Sequence, residues 1–310
     1  MKASDLTFDI VLGEPLLALQ TLLDSLVRNL GAESWLWLQI GLALGLGLLV
    51  DLTERRDMVK RYLSRNFRVD ATYALVDLLH IAHFTIIMPA GLFLTTLMQT
   101  HLPGLRIAAL ANLPAWAQLL ILFTFTDFCV YWYHRAQHMN IVLWQFHKTH
   151  HSQEHMTALT VFRMPIFDRL VTLAVLTVPA TVMDVSYAYP IGIVTVIYFH
   201  QLMVHSGVGW SLGPLGWLIV SPQFHEVHHS TAPAHIDKNF GGALAIWDRI
   251  FGTYVAHDGT PLTWGLVGER VPESFLGQIF VPFVGIHGLV RRRWRKARAR
   301  AQAAPQEPAE

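Results

Sequence analysis

The sequence predicts an all-α fold, a polytopic membrane helical bundle carrying a histidine-rich helical cap. Three observations carry that expectation. Of 310 residues 53% are hydrophobic and only 15% charged, with a mean hydropathy of +0.37, far from the balance of a soluble globule. Apolar runs of near-membrane length recur along the chain. Eight histidines fall in three tight groups: His134 and His138, then His147, His150 and His151, then His225, His228 and His229.

Residues 1–34 form an N-terminal amphipathic or interfacial segment, in which Leu16, Leu19, Leu23, Leu26 and Leu30 repeat at helical spacing until Gly31. A packing helix for the bundle is the competing reading. No basic-then-apolar leader with a small-residue cleavage site opens the chain, so the N-terminus is expected to be retained. Residues 35–126 hold spans one to three. The first, 35–50, is uncharged, with Trp35 and Trp37 as interfacial anchors, and its Gly41 and Gly45 allow a close helix approach, hence a dimer. Gly45 and Gly47 lack the third glycine of a dinucleotide fingerprint.

The basic stretch with Arg55, Arg56, Lys60, Arg61, Arg65 and Arg68 belongs in the cytoplasm by the positive-inside rule, which leaves the N-terminus outside. Residues 71–98 supply the second span and 107–126 the third, joined by an outward turn at Pro103 and Gly104. The third runs on through Tyr131, Trp132 and Tyr133 and delivers His134 and His138 to the cytoplasmic face.

Residues 127–258 form the catalytic region, including a membrane hairpin at 170–204 that turns near 184–190, where lysine and arginine are absent. The chain thus returns to the cytoplasm before the last histidine group, and all three groups share one side. Residues 259–300 are an interfacial C-terminal segment whose run Arg291, Arg292, Arg293, Arg295, Lys296, Arg298 and Arg300 anchors to anionic lipid rather than to nucleic acid. Residues 301–310 read as a disordered tail.

Residues three or four apart share a helix face, so each histidine group can aim its imidazoles in one direction. A single HxxxH pair arises often by chance, but an HxxHH triplet is rarer, and this chain has two. Neutral imidazole suits iron, zinc, copper and nickel, and four ligands complete an ordinary zinc site, so eight convergent histidines ask for two metals. The single cysteine, Cys129, excludes a disulfide framework and a cysteine-ligated iron–sulfur centre, so any electrons come from elsewhere. His225, Glu226 and His229 also satisfy HExxH, which keeps a membrane-embedded zinc metalloprotease as an alternative. A zincin site would leave the other two groups without a task. A non-catalytic metal-binding membrane protein is the third reading. Asp77, His80 and His83, near the cytoplasmic end of the second span, are candidates for a substrate channel or for interhelical bonds.

From Asp127 to Tyr254 the chain resembles the fatty acid hydroxylase superfamily, also called the sterol desaturase family. The likeness is carried by His134-Arg135-Ala136-Gln137-His138, by residues 143–152 and 221–230 around the two triplets, by Asn239-Phe240-Gly241-Gly242, and by Trp247-Asp248-Arg249-Ile250-Phe251-Gly252-Thr253-Tyr254. The resemblance adds His205, followed by Leu212-Gly213-Pro214-Leu215, as a ninth ligand. Some members carry another histidine where this chain has Gln201, with His200 one step off in phase, so both count as further metal or supporting candidates. So do the carboxylates Asp127, Asp168, Asp237 and Asp248, as partners that fix imidazole tautomers.

The family implies a membrane-bound centre of two iron ions, with zinc possible in a purified preparation, that uses dioxygen to hydroxylate or desaturate a lipid. The lipid is a fatty acyl chain, sterol, carotenoid or alkyl glycerol ether. A separate donor, a ferredoxin or a haem protein with its reductase, supplies the electrons. The active site is expected on the cytoplasmic face, in a bacterial inner membrane rather than the endoplasmic reticulum.

Overall fold

The computed structural model describes residues 32–54, 56–79, 83–183 and 191–303. The N-terminal leucine repeat, Arg55, His80, the turn at 184–190 and residues 304–310 lie outside the described residues. Helices dominate, and among the described residues the only β pairing is two isolated bridges, Ile219 with Leu244 and Ser230 with Trp264.

Helix α1 (Ala32–Thr53) is apolar nearly all round: Ile40 and Ala43 are buried while Leu42, Leu49 and Leu52 face outward, the pattern of a helix with lipid on one side. Two short steps follow. α2 (Met58–Tyr62) is capped by Asp57, and α3 (Arg65–Leu78) by Ser64, whose hydroxyl accepts the Phe67 N–H at 3.0 Å. The expected span at 71–98 is therefore not one helix. α3 starts earlier and ends at Leu78, a π-helical turn occupies His83–Ile87, and α4 (Met88–His101) restarts at Pro89. Proline has no N–H and its ring crowds the carbonyl four residues back, which accounts for the widened turn just before it.

The next helix, α5 (Ala115–Met139), begins eight residues later than residue 107, because Leu113 is held extended before Pro114. Its 25 residues reach roughly 37 Å, enough to cross a bilayer core. Asn140 ends it and caps α6 (Ile141–His147), accepting from Val142 N and Leu143 N. α7 (Ile166–Met183) and α8 (Ile191–Val204) correspond to the apolar block at 170–204, and among the described residues α5 and α7 are the two helices long and apolar enough to cross a membrane.

The remainder is short helices and loops: α9 (Pro222–His228), α10 (Ile246–Ile250), α11 (Phe275–Ile279) and α12 (Val281–Ala303). α12 carries the basic run on the same helix as its apolar start and extends through 301–303, the first residues of the expected tail.

α5 packs on α6 and α7, α4 on α7, and α8 on both α1 and α9. A core of Ile40, Val69, Tyr73, Leu159, Phe162 and Leu202 ties α1, α3 and α8 to the 3-10 turn Ala158–Phe162. Beside it the fully buried Arg163 pairs with the fully buried Asp70, which also accepts from Gln153 and Thr160. This frame fixes the ends of α5, α6, α8 and α9 against one another, and those ends carry the histidines.

Candidate metal centre

All nine histidines singled out above converge. His134 and His138 stand on the last two turns of α5, His147 ends α6, His150 and His151 sit in the 3-10 turn that follows, His205 lies one residue past α8, and His225, His228 and His229 close α9. They form two sets, His134, His138, His147, His151 and His228 in one and His150, His205, His225 and His229 in the other, with candidate ligand atoms within 4.8 Å of one another in each. The sets adjoin, since the rings of His151 and His229 stack at 4.3 Å.

The two triplets exchange a member. In each, the first and last histidines, four apart, share a face and stay together, while the middle one, three from the first, turns to the other set: His150 joins the α9 pair and His228 joins the α5 and α6 histidines.

The imidazole nitrogens show what each set is built to hold. Nδ1 of His134, His205 and His228 donates to the carbonyls of Phe240, Gln201 and Lys238, each at 2.8 Å, which leaves Nε2 as a bare lone pair aimed inward. There Nε2 meets other Nε2 atoms, at 3.1 Å between His134 and His147 and 2.9 Å between His205 and His225. Nε2 of His138 and of His228 is buried without a partner. Crowded, inward-facing lone pairs are unfavourable unless a cation shares them, so the donor set fits two metal ions. Protonation does not relieve the crowding at neutral pH. Burial first, then neighbouring imidazoles, holds His150, His151, His225 and His229 well below the ordinary histidine range, and burial takes His205 to about 4 and His228 to about 3.

The supporting carboxylates differ in what they touch. Fully buried Asp168 accepts from Gln137 at 2.7 Å and the Tyr133 hydroxyl at 3.2 Å, and lies 3.4 Å from Nδ1 of His147. Asp237 lies 3.5 Å from Nδ1 of His138. Asp248 acts one step back: it accepts the N–H groups of Phe240 and Gly241, and Phe240 supplies the carbonyl that orients His134. Asp127 accepts from Ala243 N, Leu244 N and Trp247 Nε1, so it holds the 243–247 turn and touches no histidine. His200 and Gln201 stand outside both sets, bonded to the carbonyls of Val220 and Gly242, although Gln201 orients His205 through its own carbonyl. Glu226 of the HExxH pattern accepts the Gly209 N–H at 2.8 Å.

Asp77 pairs with Arg169, and both line an apolar cavity of about 520 Å³ that among the described residues no histidine lines. His83 lies in the π turn. Sequence reasoning missed Tyr133 and Gln137, which flank the α5 histidines at the same four-residue spacing, and Glu269, which had no motif around it.

The fold and the site together define a helical protein with two adjoining all-histidine donor sets. Residues 119–253 match the family model described as fatty acid hydroxylase. Among curated relatives, alkylglycerol monooxygenase of Xenopus tropicalis is 34% identical over 134 residues, covering 42% of this chain and 28% of the relative. The ornithine lipid hydroxylase OlsE of Rhizobium tropici is 29% identical over 166 residues, 54% of this chain and 50% of the relative. A probable Delta(7)-sterol 5(6)-desaturase of Neurospora crassa is 27% identical over 142 residues, 46% and 39% of the two chains. The matched stretch thus spans a half or less of each of these relatives. No solved structure matches the chain.

Proposed function

We propose that this protein is a membrane-bound di-iron oxygenase that hydroxylates or desaturates a lipid, with its active centre on the cytoplasmic face. The observation that carries the reading is the gathering of nine histidines, seven buried and His134 and His138 half-buried, into two adjoining sets whose free nitrogens face inward. His134, His138, His147, His151 and His228 hold one iron, and His150, His205, His225 and His229 the other. The irons supply dioxygen activation when bound.

The chain's own groups do the rest. The carbonyls of Phe240, Gln201 and Lys238 fix the imidazoles they face in the tautomer that ligates. Burial keeps bulk water away from a strong oxidant. For hydroxylation, one oxygen atom enters a carbon–hydrogen bond and the other leaves as water, consuming two protons and two electrons from a separate donor. Desaturation starts from the same hydrogen abstraction.

The matched relatives bear the names of lipid-modifying enzymes, which supports a lipid substrate here. The catalytic region is 127–258, carried on membrane spans that include α1 and the α7–α8 pair, with α12 at the membrane surface. The Gly209 contact gives Glu226 a loop-holding task, which supports the oxygenase over a peptidase with that glutamate as base.

Metal analysis of the purified protein tests the reading: about two irons per chain are expected, whereas a single tightly held zinc would favour the peptidase. Glu226→Gln separates the two by activity, since it abolishes proteolysis and leaves a histidine-ligated oxygenase largely active. Lipid profiling of cells with and without the protein then names the substrate.

A further inference from the structure

A cavity of about 450 Å³ opens directly on His138, His151, His228 and His229. Its outer wall is apolar and open: Met139 is 65% exposed, Ile141 55% and Val267 62%. Gly265 and Gly268, both at positive φ, bracket Leu266 and Val267, and Glu269 fastens this loop to α6 by accepting from Trp144 Nε1 at 3.2 Å and Lys148 Nζ at 3.0 Å. The cavity that Asp77 and Arg169 line is larger and apolar but meets none of the nine histidines. A reacting carbon has to come within contact of the centre, and of these two cavities the first reaches it.

The charged side chains that line this cavity have one sign. No lysine or arginine lines it, while Asp237 and Glu269 do, joined by the Ser230 hydroxyl. Lys148, beside it, is buried and engaged with Glu269. Apart from the ions that the histidines would hold, an anionic head group at this rim faces two carboxylates and no lining cation, Lys238 acting on Asp237 from outside the lining, whereas a hydroxyl or ammonium finds acceptors.

We propose that this cavity binds the lipid, with the chain seated between the Met139–Ile141 rim and the 265–269 loop, and that Asp237 and Glu269 select a head group bearing hydrogen-bond donors over a phosphate or carboxylate. This rests on the reading of the histidine sets as the reacting centre. It assigns residues that determine which lipid is taken.

The test is photoaffinity labelling of the full chain in detergent with a hexadecyl glycerol carrying a diazirine in its chain, the site being read by peptide mass spectrometry. Labels are expected on residues 139–144 and 265–267, and Ile236→Trp, which fills the cavity, should remove them. Unlabelled hexadecyl glycerol and hexadecylamine should each compete about tenfold better than hexadecyl phosphate, the size of one charge-assisted contact. The better competitor of the two tells a hydroxyl from an ammonium head group. Asp237→Asn combined with Glu269→Gln should bring the phosphate to within about twofold of the others.

Labels concentrated on Val76, Leu173 and Leu176 of the other cavity, or a phosphate that competes equally against the unaltered protein, would overturn the proposal. Iron content is measured on the same samples: its absence speaks against the oxygenase reading, while the labelling pattern still decides this one.

Discussion

Asp168 shows how one side chain away from the inner donor atoms can govern a site. It is fully buried, and Gln137 and Tyr133 of α5 hold it against Nδ1 of His147, a ring whose other nitrogen faces His134. A carboxylate in that position fixes ring orientation and raises ligand basicity. Asp168→Asn should therefore leave the helices in place yet weaken metal retention or turnover by about 10- to 100-fold, read by metal titration of stripped protein alongside activity. Removing a donor acts on one set alone. His225→Ala should lower iron from about two per chain to about one, since the five-histidine set keeps all its members.

Protonation provides a further check on the same rings. The unfolded chain takes up protons near 6.5, whereas folded His205 and His228 resist until about 4 and about 3. The unfolded state therefore binds more protons below 6.5, so stability is full above that value and falls as the pH drops toward 4. The slope is roughly 1.4 kcal/mol per pH unit for each such histidine. Thermal unfolding of metal-stripped protein at pH 8, 6.5 and 5.5 should show a falling midpoint, and an unchanged midpoint would contradict the burial of these rings. The eight histidines of the three groups were legible from spacing, whereas His205 entered only through the family resemblance. The exchange of His150 and His228 between sets was not, because it depends on where the 3-10 turn after α6 and the end of α9 meet in space.

Between elements, the Asp70–Arg163 pair is what joins α3 to the turn that precedes α7. Both groups are fully buried, Gln153 and Thr160 satisfy the carboxylate further, and Arg163 also reaches the Asn66 carbonyl and the Ser152 hydroxyl beside the triplet of His147, His150 and His151. Breaking a buried pair from one side strands the other charge. Arg163→Met should cost about 3–5 kcal/mol, and adding Asp70→Leu should recover part of it, because the uncompensated carboxylate is then gone. Thermal midpoints in detergent for the two single variants and the double variant give the coupling.

The same buried aspartate explains why the apolar run at 71–98 misled. Composition marks that stretch as a span, but Asp70 and Asp77 tether its start to Arg163 and Arg169, and Pro89 forces a restart after the π turn. Hydropathy records how apolar a segment is and carries no trace of a partner ninety residues away. The expected start of α5 at residue 107 is eight residues too early, because Pro114 decides where the helix begins.

The arrangement across the membrane follows from where charge is left at the surface. α12 bears an exposed basic face from Arg291 to Lys296, and the basic residues around α2 lie near the same side, since Arg56 and Arg61 bond to the Gly207 and Ser206 carbonyls just past His205. On the topology proposed above, a positive-inside arrangement would put the histidine sets, α12 and the short helices α2 and α9 in the cytoplasm, and the Pro103–Leu105 turn outside. The single native cysteine makes this directly measurable. In a Cys129→Ser background, Arg292→Cys should react with a membrane-impermeant maleimide only after the cytoplasmic side is opened, whereas Leu105→Cys, on an exposed turn, should react from outside in intact cells. Labelling of both positions from one side would mean that the helices between them cross the membrane an even number of times. The charge rule would then have oriented either the turn or the basic helix wrongly, and the shared cytoplasmic site would lose its footing.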